Sequence, residues 1–208
     1  DQLSAAKALI KLQNITNVPR ETFANLQLYV DLLLQENQQF NLIGKSTEAD
    51  IWRRHIVDSA QLLQYFPADT KRIIDIGSGA GLPGMVLSIL GVKSVDLIES
   101  KTKKTNFLTK AAPCSPNKIN IVNQRIEQLD AWPSDVITSR ACAALTKLLD
   151  LSEKFIAKNR ICVFLKGRTI KDEILLAQEK WHFDYMLYNS ITAEDSYIIK
   201  LSNIYRLK

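Results

Sequence analysis

Residues 72–84 read Arg72-Ile-Ile-Asp75-Ile-Gly77-Ser-Gly79-Ala-Gly81-Leu-Pro-Gly84. An apolar run that passes straight into a cluster of glycines predicts a buried strand, a tight loop and a following helix that takes in Gly84. Glycine at these places permits a sharp turn and close approach of the backbone to a ligand.

Outward from this stretch, short apolar runs recur at Arg72–Ile76, Ser94–Ile98, Lys118–Val122, Val136–Thr138 and Ile161–Leu165. Helical segments lie between them, and that alternation predicts a mostly parallel sheet covered on both faces. Two further strand-like runs, Trp181–Tyr188 and Tyr197–Tyr205, are joined by a short link and predict a closing antiparallel hairpin. Upstream, Phe23, Leu26, Tyr29, Val30, Leu33 and Leu34 recur at helical spacing, with Pro19 near a start and Asn41 and Gly44 near a stop. A second helical run covers about 48–65. The expected division is a helical extension over 1–66 and an α/β domain over 67–208.

The loop has two rival readings, a dinucleotide site and a site for S-adenosylmethionine. Gly79-Ala-Gly-Leu-Pro-Gly84 formally matches the dinucleotide fingerprint, but counted from the strand end at Gly77 the last glycine would fall on Leu82. The charges also disfavour a pyrophosphate: Asp75 ends the strand, and no Lys or Arg lies between Ile73 and Val92. A carboxylate instead attracts the sulfonium and ammonium of S-adenosylmethionine. The cofactor is therefore expected at Asp75, Gly77, Ser78, Gly79 and Gly81. Glu99 ends the second strand 22 residues beyond Gly77 and suits the ribose hydroxyls. Gln124-Arg-Ile-Glu127 follows the third strand, where Ile126 and Glu127 suit the adenine ring. The expected fold is a Rossmann-like class I S-adenosylmethionine-dependent methyltransferase: a mostly parallel seven-stranded sheet, a C-terminal antiparallel hairpin and an N-terminal helical extension.

The 208 residues suit one domain plus a modest extension, and 46% hydrophobic with 24% charged residues is ordinary for a globular chain. No window approaches the length of a membrane span. The start, Asp1-Gln-Leu-Ser-Ala-Ala-Lys7, does not read as a signal peptide and lacks an initiator Met, leaving room for residues upstream. Cys114, Cys142 and Cys162 have no CxxC spacing, so free buried thiols are expected rather than disulfides or a metal site. The net charge of +5 divides as −1 over residues 1–66 (six basic, seven acidic) and +6 over 67–208. That asymmetry is compatible with an acidic partner such as RNA.

Further motifs then point one way. His55-Ile-Val-Asp-Ser59 and Asn41-Leu-Ile precede the glycine loop, Thr138-Ser-Arg-Ala141 ends the fourth strand and Leu165-Lys-Gly167 the fifth. In this order they resemble the bacterial 16S ribosomal RNA guanine-N7 methyltransferases, the glucose-inhibited division protein B family, over nearly the whole chain from about residue 20. The resemblance implies methylation of N7 of one guanosine, position 527 in the usual rRNA numbering. It also implies cofactor contacts by Gly77, Leu82, Ile126, Glu127 and Arg140. Where many members have a second acid after Glu127, this chain has Gln128.

Guanine N7 is an unprotonated nucleophile at neutral pH, so transfer needs no general base and rests on alignment and charge. Arg140 is the leading catalytic candidate, as a donor to guanine O6 or an orienter of the cofactor carboxylate. His55 and Asp58 share a helix face; they either border the target base or only pack the helix on the domain. Arg53, Arg54, Lys166 and Arg168 are candidate phosphate contacts, as are Lys101, Lys103 and Lys104. The expected partner is 16S RNA or the small ribosomal subunit, with no DNA, membrane or metal, for a monomer in the cytoplasm. Two rival functions remain: the same fold acting on a protein or small molecule, and a non-catalytic RNA-binding module.

Overall fold

The computed structural model describes residues 2–140, 143–157 and 161–208. Ala141 and Cys142, both singled out in the sequence, lie outside these residues.

Two helices open the chain, α1 (Ala5–Gln13) and α2 (Arg20–Asn37). The Ser4 side chain accepts the Lys7 amide and caps α1. The second helix stops at Asn37, earlier than Asn41 and Gly44 suggested. The cause is the Asn37 side chain, whose Oδ1 accepts the amides of Leu42 and Ile43 at 2.7 and 2.9 Å and so turns the chain. The helical run expected over 48–65 is composite. Lys45–Asp50 is a 3-10 turn, Trp52–Val57 winds as a π-helix, α3 (Asp58–Ala60) is α-helical and Gln61–Tyr65 returns to 3-10.

Seven strands follow: β1 (Arg72–Ile76), β2 (Ser94–Ile98), β3 (Lys118–Val122), β4 (Val136–Arg140), β5 (Ile161–Gly167), β6 (Trp181–Asn189) and β7 (Ser196–Arg206). Four helices link them: α4 (Gly84–Ile89), α5 (Thr102–Ala111), α6 (Leu145–Ile156) and α7 (Ile170–Gln178). The sheet order is β3-β2-β1-β4-β5-β7-β6, with β1 to β5 parallel and β7 antiparallel to both its neighbours. The order reverses between β1 and β4. In such sheets ligands bind beyond the carboxyl ends of the strands at that reversal. The fourth and fifth strands each run two residues further than their apolar patterns, because Ser139 to Arg140 and Lys166 to Gly167 continue the pairing with β5 and β7.

Alternation along the strands divides the core between two faces. Ile73, Val95 and Leu97 pack with Met85, Val86 and Leu87 of α4 and Phe107 and Leu108 of α5. Leu26, Tyr29, Leu33 and Ile56, from before residue 67, belong to the same cluster. On the other face Ile74, Ile137, Phe164 and Ile199 pack with Leu148, Leu149, Ile170 and Ile174 of α6 and α7. Burial pushes up the thiol pKa of Cys162, whose side chain lies within that second cluster. No helix among the described residues is long and apolar enough to cross a membrane.

Gly84 shows how close α4 must come to the sheet. A Cβ there would meet Leu97 Cδ2 at 2.4 Å and Asp75 Oδ2 at 2.7 Å. Gly84→Ala is therefore expected to cost about 1–3 kcal/mol of stability through overpacking. A lowered urea midpoint would register this, and an unchanged midpoint would contradict it.

Candidate active site

The loop after β1 is held from three sides. Within it the Ser78 amide donates to the Ile98 carbonyl at 3.0 Å, and the Ser78 carbonyl accepts the amides of Gly81 and Leu82 at 2.7 and 3.0 Å. Gly81 adopts φ +89, and a Cβ on it would lie 2.4 Å from Met85 Cγ, so no other residue fits. From β2, Glu99 braces the loop: its Oε2 accepts the Gly79 amide at 2.9 Å and its Oε1 the Lys101 amide at 2.8 Å. From α2, the Tyr29 hydroxyl donates to the Ala80 carbonyl at 2.7 Å. Burial pushes the Tyr29 phenol far above its usual pKa and keeps it a neutral donor. Its helical spacing marked Tyr29 only as core; nothing in the sequence revealed a partner 51 residues away.

Asp75 lies under this loop rather than on its open side. The residue is fully buried, its Oδ2 accepts the Gly84 amide at the start of α4 at 2.9 Å, and its Oδ1 has no hydrogen-bond partner among the described residues. Burial pushes its pKa up to about 7, opposed by the Gly84 hydrogen bond. Leu82 and Ser78 are also buried and turn into the protein. No basic residue is near Asp75 in sequence, yet Lys104 of α5 reaches the loop: a Cβ on Gly79 would lie 3.8 Å from its Nζ.

Two crevices open at the carboxyl ends of the strands. The first, of about 220 Å³, lies beyond β1, β2 and β3 and is lined by Gly77, Glu99, Arg125, Ile126, Glu127 and Ala143 among others. Four residues expected to touch one cofactor are thus brought together from three loops. The second, of about 360 Å³, lies beyond β4 and β5 and is lined by Thr47, Arg54, His55, Asp58, Arg140, Lys166 and Ser196 among others. His55 from the extension therefore meets Arg140 at the end of β4, and Asp58 lines the same crevice. Among the candidate phosphate contacts, Arg54 and Arg168 are exposed, while Arg53 is tied to Asp50 at 3.4 Å. Lys166 does not fit that role. It is 5% exposed, ion-paired with Glu173 at 2.6 Å and donates to the Ala143 carbonyl at 2.6 Å. Lys101, Lys103 and Lys104 line a separate groove beside Phe40, whose ring lies 5.8 Å from Lys103 Nζ.

The π-helical turn explains how Arg140 is met. Its wider winding sends the Asp58 amide to the Arg53 carbonyl, five residues back, and to that of His55. The Arg54 carbonyl instead accepts Arg140 Nη1 at 3.3 Å, and Nη1 also lies 2.7 Å from His55 Nδ1. Burial and the neighbouring Arg140 and Arg54 charges push the His55 pKa down to about 3, so the ring is neutral across the physiological range. Asp58 accepts Gln61 Nε2 at 3.0 Å and the Thr192 hydroxyl at 2.6 Å, while burial raises its pKa. Gln61 also donates to Ser190 and accepts the Ile191 amide, both at 3.0 Å, so the link between β6 and β7 is docked onto the extension. These hairpin contacts had no sequence signal, because their partners lie about 130 residues apart.

A family model described as rRNA small subunit methyltransferase G matches residues 22–198. The chain is 40% identical over 189 residues to the ribosomal RNA small subunit methyltransferase G of Rhodospirillum rubrum, covering 91% of this chain and 94% of that one. The protein of the same name from Rickettsia felis is 40% identical over 91% of this chain and 98% of its own. Among solved structures, a ribosomal protein L11 methylase from Lactobacillus delbrueckii subsp. bulgaricus superposes with a TM-score of 0.54 at 16% identity, covering 74% of this chain and 79% of that one. A TrmK of M. capricolum bound to S-adenosyl-homocysteine gives 0.51 at 15% identity, over 69% and 66%. At such identities these two share the fold.

Asp75 makes a testable contribution to stability. Its native pKa of about 7 exceeds the ordinary carboxyl value, so the native state holds the proton more tightly than the unfolded chain. The resulting stabilisation is complete below about pH 4 and is lost by about pH 7. The urea-midpoint advantage of the unaltered chain over Asp75→Asn should therefore shrink steadily across that interval. A constant difference would contradict the buried carboxylate.

Proposed function

The chain belongs to the rRNA small subunit methyltransferase G family, and from that premise we propose that it transfers a methyl group from S-adenosylmethionine to N7 of a single guanosine in 16S ribosomal RNA. The observation that carries this reading is the pair of crevices at the carboxyl ends of the strands, one on each side of the reversal of strand order, with Arg140 on the wall of the second.

The first crevice suits the cofactor's adenosine. Glu99 offers carboxylate oxygens to vicinal hydroxyls, and Ile126 offers an apolar surface to a ring. Gly77, with a φ of +66° that favours glycine, adds backbone to the same crevice. The unpartnered Oδ1 of Asp75 and the field of its carboxylate favour a cationic group above the loop. Bound there, S-adenosylmethionine supplies an electrophilic methyl group on a sulfonium.

The second crevice suits the target base. Arg140 spends its two Nη1 hydrogens on His55 and the Arg54 carbonyl, which leaves those on Nε and Nη2 for a ligand. Guanine presents O6 and N7 as adjacent acceptors, and a guanidinium recognises such an edge. A donor on O6 leaves the N7 lone pair free for the methyl group. Its contribution is to fix the base with N7 in line with the methyl group and the leaving sulfur. Because N7 carries no proton, no basic side chain is required. A neutral His55 and a hydrogen-bonded Asp58 are consistent with that. Exposed Arg54 and Arg168 suit the phosphates flanking the base.

The test uses radiolabelled S-adenosylmethionine with intact small ribosomal subunits, naked 16S RNA and bulk protein. Label is expected in 16S RNA, as N7-methylguanosine located at one site by reduction and aniline cleavage. Label confined to protein or small molecules would overturn the reading. Arg140→Lys, which keeps the charge and loses the fork, should lower kcat by roughly a hundredfold while cofactor affinity holds. Parallel loss of cofactor affinity would assign Arg140 to the cofactor carboxylate instead.

A further inference from the structure

We propose that His55 is the positioning residue for Arg140: the N-terminal extension aims the guanidinium through one fixed tautomer of a neutral imidazole. The proposal rests on the reading of Arg140 as the donor to the target base.

The tautomer follows from three hydrogen bonds. Thr47 has one hydroxyl hydrogen, and its Oγ1 lies 2.7 Å from the Gly44 carbonyl, which can only accept. Toward His55 Nε2, also 2.7 Å away, that hydroxyl is therefore the acceptor, and Nε2 carries the ring hydrogen. On the other side Arg140 Nη1 can only donate, so the Nδ1 it meets at 2.7 Å must present a lone pair. Both demands select the same form, with Nε2 protonated and Nδ1 bare. An imidazolium would set an N–H against the Arg140 N–H, and burial beside two arginines opposes it.

The consequence is geometric. A guanidinium is planar, so fixing both hydrogens of Nη1 fixes the plane and thereby the directions of the Nε and Nη2 hydrogens. His55 is 6% exposed and reaches Arg140 across 85 residues of sequence, and the second anchor is the Arg54 carbonyl of the same π-turn. The relay thus runs from Gly44 through Thr47 and His55 to Arg140. Among the described residues no carboxylate is in direct contact with the guanidinium, which keeps the charge available to the substrate.

Three substitutions separate positioning from packing. Asn can offer Oδ1 where Nδ1 stood, whereas Gln places its amide nearer the Nε2 position and Leu offers no acceptor. His55→Leu and His55→Gln are expected to lower kcat at saturating substrates by roughly tenfold to a hundredfold, the scale of a misplacement of about 1 Å. Their affinity for S-adenosylmethionine should stay within about twofold, and His55→Asn should recover most of the loss. Nitrogen-15 spectra of the unaltered protein should show Nε2 protonated and Nδ1 bare from pH 5 to 8. In an Arg140→Lys background, His55→Leu should lower kcat no further, since no guanidinium remains to be aimed. Full kcat in folded His55→Leu, with Arg140→Lys still impaired, would overturn the positioning role alone. Full kcat in Arg140→Lys would overturn the reading of Arg140 on which it rests. Equal loss in Leu, Gln and Asn variants, tracking their urea midpoints, would reduce His55 to packing and overturn the proposal.

Discussion

The guanidinium of Arg140 is a half-buried cation at the end of β4 whose pKa burial pushes down, and a charge drawn from water must be met by hydrogen-bond acceptors. The acceptors it finds are a neutral imidazole and a backbone carbonyl, both supplied by the π-turn of the extension. This single junction ties three things together. It requires the extension to cover the strand ends, it requires the π-turn to present the Arg54 carbonyl to Nη1, and it requires His55 to stay uncharged. The surrounding contacts serve the same closure, since Asp58 and Gln61 fasten the β6–β7 link to the segment that holds His55.

The glycine loop is built on a matching principle with the opposite charge. Asp75 is fully buried and met on one oxygen by the Gly84 amide, with the other oxygen left without a hydrogen-bond partner among the described residues. Its charge is thereby raised in cost and made sensitive to whatever cation lies above the loop. Tyr29 joins that loop to α2 through Ala80, as His55 joins β4 to the π-turn. The extension therefore holds both halves of the site, and its side chains share one hydrophobic cluster with the sheet.

Much of the fold was legible because its periodicities are local. The runs at Arg72–Ile76, Ser94–Ile98 and Lys118–Val122 became strands with those bounds, the first two as continuous buried runs and the third as a half-exposed edge strand that alternates apolar and polar residues. Boundaries set by polar side chains were not legible: Asn37 ends α2 by capping two amides, a role that no hydropathy pattern encodes. The π-turn was hidden as well, because Trp52–Val57 carries the same apolar spacing that an α-helix would. In the site, Gly77, Glu99, Ile126 and Glu127 were legible from their places after strands, and they do line one crevice. Lys166 was misread because basic residues at strand ends suggest phosphate contacts, while Glu173 waits for it on the next helix. The supposed absence of cations around the loop failed because Lys104 arrives from α5 through space.

The arrangement of substrate, guanidinium and extension is tested most directly by a crystal structure of the chain with S-adenosylhomocysteine and a short RNA containing the target guanosine. Guanine O6 should lie about 3 Å from Nε or Nη2 of Arg140, with Nη1 still on His55 Nδ1 and the Arg54 carbonyl. An Arg140 swung away from His55, or paired with the cofactor carboxylate while the base binds elsewhere, would contradict it.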